Sequence, residues 1–110
     1  MEKIFIDYKR YNKEYWVYTA ILIEKMGYEK WKYYIPELMI WLQDINWPGS
    51  YIIYNMFLNV DKEIILPYIN SVQEEAKKYN DNEWYEILEE LKLGKAIWDI
   101  NEIKKAYSLD

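Results

Sequence analysis

The residue types best suited to chemistry lie in one short stretch, WLQDINWPGS at residues 41–50. A lone Asp44 would need a second catalytic group at a defined spacing to work as a general base, and the stretch holds none. We therefore interpret it as structural, with Asp44 and Asn46 capping the next helix and Trp41 and Trp47 filling the bend. The alternative is a binding corner in which Asp44 and Trp47 face a groove.

A second cluster is acidic and lies in ten residues that contain no Lys or Arg. Its members are Asp81, Glu83, Glu86, Glu89 and Glu90. Glu83, Glu86 and Glu90 follow the spacing i, i+3 and i+7 and therefore share one helix face. The pattern predicts either a solvated face whose charge suits the positive end of a helix or a docking surface for a basic protein. Helical spacing alone does not build a metal cage of oxygen ligands, so no metal is expected.

Tyrosine is abundant, with thirteen residues in the chain. Tyr11, Tyr15 and Tyr18 share a predicted helix face, where tyrosine either fills a core edge or forms a binding hot spot. Stacking on nucleic-acid bases would need a basic groove alongside. Because the formal net charge is −5, no nucleic-acid partner is expected.

Several other classes of chemistry are excluded by composition. The chain has no cysteine and no histidine, so thiolate sites, disulfides and imidazole catalysis are absent. No cofactor is expected. No apolar run is long enough to cross a membrane, and MEKIFIDYKR at the amino end has too short an apolar run for a signal peptide. We expect a cytoplasmic protein.

The elements that position these residues are predicted to be helices, because Gly and Pro are scarce and apolar residues recur at helical spacing. The helices cover residues 11–26, 29–43 and 48–58, a fourth starts after Asp61, and the last two cover 83–93 and about 95–107. Gly27 and Gly94 are predicted to end helices, Pro48 to begin one and Asp61 to cap one. The first helix is expected to bury Tyr15, Tyr18, Ile21, Leu22 and Met26.

A weak internal repeat organises the helices. Pro36 is followed by Trp47, and Pro67 by Trp84, in two units roughly 30 to 37 residues apart. Each proline is expected to interrupt and bend the first helix of a pair. Residues 1–110 are therefore predicted to form one all-α domain, a HEAT-like α-α superhelix of about five to six helices in stacked antiparallel pairs.

Four segments, IPELMI, WLQDINWPGS, ILPYINSV and DNEWYEILEEL, resemble a bacterial family of uncharacterised small helical domains. The resemblance covers residues 28–93 and departs at 71–82, where the helix and loop are longer. It implies a HEAT-type repeat and a setting similar to toxin–immunity loci, with no catalytic residues carried over. The family motif corresponds to Trp41, Leu42, Gln43, Asp44, Asn46, Trp47 and Pro48, which carry fold identity.

Together these features favour a non-enzymatic module that binds a protein partner. The most specific version of this hypothesis is an immunity protein that neutralises a basic toxin through the acidic cluster. One alternative is a structural domain that self-associates through its aromatic surface. Another is an uncharacterised enzyme that uses carboxylates and tyrosines.

Overall fold

A computed structural model describes residues 13–44 and 49–96, and every regular element in them is helical. The all-α prediction is therefore confirmed for this part of the chain. The α-helices are α1 (Lys13–Met26), α2 (Tyr28–Trp31), α3 (Ile35–Met39), α4 (Ser50–Leu58), α5 (Lys62–Lys78) and α6 (Asn82–Lys92), and Lys32–Tyr34 and Ile40–Gln43 form 3-10 turns. Residues 1–12 and nearly all of the predicted last helix lie outside the described residues.

Helix α1 buries a different face from the one predicted. Its buried side chains are Trp16, Val17, Ala20 and Ile23. Tyr18, Leu22 and Met26 are exposed by 59%, 65% and 37%, so their assignment to the core is wrong. The small side chain of Ala20 explains why this face of α1 is the buried one, because it lets the backbone at Gly49 approach the helix closely. A Cβ built on Gly49 would lie only 2.9 Å from the Cβ of Ala20.

The single helix predicted over residues 29–43 is broken into α2, α3 and the two 3-10 turns. Pro36 occupies the first turn of α3, where its missing N–H is harmless, instead of lying inside a longer helix. The chain tightens into the Lys32–Tyr34 turn just before it. The apolar residues of this segment still face the core, since their side chains are all buried: Trp31, Ile35, Leu38, Met39 and Leu42.

Helix α4 is the centre of the core. It packs against α1, the Ile40–Gln43 turn and α6, and a helix that is apolar nearly all round must be enclosed in this way. Its buried side chains include Ile52, Ile53, Met56 and Phe57, together with Tyr51 and Tyr54. Its boundaries agree with the prediction at the carboxyl end, while Pro48 lies outside the described residues.

Helix α5 begins after Asp61 as predicted, and its side chains Ile65, Ile69, Val72 and Ala76 are buried. The prediction that Pro67 interrupts it is wrong, since the helix runs unbroken through this residue. Pro67 lies on the exposed side together with Glu63, whose carbonyl would have accepted the missing N–H. Water can satisfy that carbonyl, so the helix continues.

Helices α5 and α6 form an antiparallel hairpin, the most extensive helix pair among the described residues. Asn80 adopts a left-handed φ of 57°, and the Asp81 amide donates to the Ala76 carbonyl at 2.8 Å. This is the Schellman ending of a helix, with Asn in place of the usual Gly. The turn leaves only three residues between the helices, which holds α6 firmly against α5.

Candidate interaction surface

The acidic cluster lies on α6, whose amphipathic pattern is confirmed. The side chains of Trp84, Leu88 and Leu91 are buried. The glutamates are exposed or half-buried. The structure places the five carboxylates of the cluster in four kinds of environment.

Asp81 is part of the fold rather than of an open surface. Its Oδ1 accepts the Trp84 backbone N–H at 3.1 Å, which makes it the N-cap of α6. Its Oδ2 accepts a 3.4 Å hydrogen bond from Gln43 Nε2, 38 positions earlier. The same residue also ends α5 through its backbone. Asp81 therefore joins the hairpin to the family motif.

Glu89 faces α5 instead of the open side of α6. Gln73, a buried polar residue, donates from Nε2 to Glu89 Oε1 at 2.9 Å, and Lys92 Nζ lies 3.5 Å from the same oxygen. The Gln73 hydrogen bond lowers the pKa of Glu89, and the positive charge of Lys92 acts in the same direction. The hydrogen bond fixes Glu89 as an ionised link between the two helices.

Glu90 lies at the junction of α6 with α4. Its Oε2 is 3.4 Å from Lys95 Nζ, while the Tyr54 hydroxyl donates to the Lys95 carbonyl at 2.6 Å. Burial, together with the nearby charge of Glu90, raises the pKa of Tyr54 to about 12. The tyrosine stays neutral and serves as a hydrogen-bond anchor for the chain after α6.

Glu83 and Glu86 are the two fully open members of the cluster. Both are exposed, and within the described residues neither forms an ion pair or a side-chain hydrogen bond. With Glu90 they follow i, i+3 and i+7 along one side of the helix. Because Glu90 is paired with Lys95, we call Glu83 and Glu86 alone the outer face of α6.

The segment predicted to be the family motif packs into the core at the residues that the structure describes. Trp41 and Leu42 are buried, and Gln43 makes the bond to Asp81 described above. Gly49 holds the N-cap position of α4 that we assigned to Asp44 or Asn46. Asn46, Trp47 and Pro48 lie outside the described residues, so their predicted roles stay predictions.

Two residues missed by sequence reasoning complete this turn. The Ser50 hydroxyl, fully buried, donates its single proton to the Trp41 carbonyl at 2.6 Å, and the Asp44 carbonyl, at 3.2 Å, is a second and weaker acceptor of the same proton. Gly49 has a φ of 92° and touches α1. The Pro-Gly-Ser sequence signals a turn, but no local pattern shows that its hydroxyl reaches backward to the preceding helix end.

A further bond joins the motif region to α6. The buried indole of Trp84 donates from Nε1 to the Met39 carbonyl at 3.1 Å. With the bond between Gln43 and Asp81, it fixes the start of α6 on the Ile40–Gln43 turn. Three of the four segments that carry the family resemblance, IPELMI, WLQDINWPGS and DNEWYEILEEL, are therefore in direct contact.

In the part of the chain that the structure describes, no group of three or more carboxylates is arranged to hold a metal ion. Within the same residues, no helix has the length and apolar character needed to cross a membrane.

A family model for a domain of unknown function, DUF5071, matches residues 12–104. The chain belongs to the DUF5071 family. The match covers residues 41–50 and the α5–α6 hairpin. Comparisons with curated proteins and with solved structures gave no match.

Proposed function

We propose that this DUF5071 domain is a non-enzymatic protein-interaction module that binds a basic partner through the outer face of α6. The observation that carries the proposal is the exposure of Glu83 and Glu86 without ion pairs in the described residues. Like charges at helical spacing cost a few tenths of a kcal/mol each. A basic partner would relieve this repulsion.

We expect the partner to present a positively charged surface. A protein with net charge −5 attracts a positively charged surface over a distance, and such steering raises association rates at low salt. Our specific form of the proposal is a bacterial, cytoplasmic immunity protein whose partner is a basic toxin. Asp81 and Glu89 would then contribute charge to the field while remaining bound within the fold.

The test is direct binding to the product of the gene adjacent to the one that encodes this chain. Calorimetry with the purified proteins should show an interaction that weakens as salt rises. The double variant Glu83→Lys with Glu86→Lys should weaken it at least about tenfold, because attraction becomes repulsion.

The matched control reverses two charges on α5, as Glu63→Lys with Glu75→Lys. Both are exposed, and Glu63 is the second residue of its helix as Glu83 is of α6. This control should bind nearly as well as the unmodified protein. Equal losses of affinity in the two double variants would mean that only the overall charge of the protein matters. No loss of affinity in either double variant would exclude the outer face of α6 as the binding surface.

A second candidate function, self-association, is favoured by the exposed side of α1. Tyr18, Leu22 and Met26 are four residues apart, so they form one continuous apolar face. Exposed apolar patches of this kind mark interaction sites more often than isolated residues do. A second copy of the chain could bury this face against its own.

Sedimentation velocity over a concentration series tests this candidate. Leu22→Glu should shift the protein toward the monomer, because a buried charge in the contact is costly. The control is Leu93→Glu, since Leu93 is similarly exposed, at 57%, but lies at the end of α6. A strict monomer at high concentration in the unmodified protein would exclude self-association.

The HEAT-like superhelix is likewise a proposal. The α5–α6 hairpin supports it, because a tightly connected antiparallel pair is the unit from which such arrays are built. An experimental structure of the whole chain tests it, since a second stacked pair must lie beside this hairpin.

A further inference from the structure

We draw no further inference here: the strongest candidate, the side-chain cluster at α2 in which Glu29, Tyr28 and Tyr33 surround the Lys32 ammonium group, is already filled by the chain's own lysine, and nothing in the structure shows a ligand that would replace it.

Discussion

The motif turn, described at residues 41–44 and 49–50, and the outer face of α6 differ in where their polar atoms find partners. In the turn, the Ser50 hydroxyl and the Gln43 amide are bonded inside the molecule. On α6, Glu83 and Glu86 extend into solvent. Buried polar groups need internal partners, whereas exposed charges can remain available to another protein. The difference teaches that a distinctive sequence motif can be used up by the fold, while the charges open to another protein lie elsewhere.

The largest expected effect is at Gly49, where the turn meets α1. Gly49→Ala forces a side chain into a left-handed φ of 92° and places its Cβ 3.0 Å from the Trp16 carbonyl and 2.9 Å from Ala20 Cβ. Strain and overpacking together should cost on the order of 3 kcal/mol. Urea denaturation measures this loss.

Gly94→Ala is the control that separates strain from crowding. Gly94 also has a left-handed φ, 72°, but nothing lies within 4 Å of a Cβ added there. It should cost about 1 to 2 kcal/mol, the strain alone. If the two variants are equally destabilised, the close packing of the turn on α1 does not matter to stability.

Sequence alone predicts α6 well because the information is local. Its apolar residues Trp84, Ile87, Leu88 and Leu91 fall on one side, and only one arrangement buries them. In α1, by contrast, apolar residues occupy two faces. The face that is buried is the one that contacts Gly49, which lies 29 positions beyond Ala20 in the sequence. Helical spacing within α1 cannot predict a contact with so distant a residue.

The candidate surface is predicted only in part for the same reason. Helical spacing places Glu83, Glu86 and Glu90 on one face. It does not predict the side chains that donate hydrogen bonds to Asp81 and Glu89, because these come from other segments of the chain. Gln43 reaches Asp81 only because α6 docks on the Ile40–Gln43 turn. Long-range contacts of this type depend on the whole fold.

An intermediate effect is expected at the start of α6. Asp81→Ala removes the hydrogen bond to the Trp84 amide and the bond from Gln43. Losing a helix cap of this kind should cost about 1 kcal/mol. Thermal or urea denaturation measures the change.

Asp61→Ala is its matched control. Asp61 holds the N-cap position of α5, yet its side chain makes no capping hydrogen bond. The substitution should therefore change stability by only a few tenths of a kcal/mol. A loss at Asp61 as large as that at Asp81 would contradict the structural role that distinguishes Asp81 from other carboxylates.

The smallest effect on stability is expected on the outer face of α6. Glu86→Lys changes an exposed side chain with no ion pair among the described residues, and such substitutions usually stay within about 0.5 kcal/mol. It also removes repulsion from Glu83 and Glu90, which lie at i−3 and i+4. Urea denaturation should therefore give an unchanged or slightly higher stability. A loss above about 1 kcal/mol would mean that Glu86 supports the fold, and the contrast between the bonded turn and the open helix face would fail.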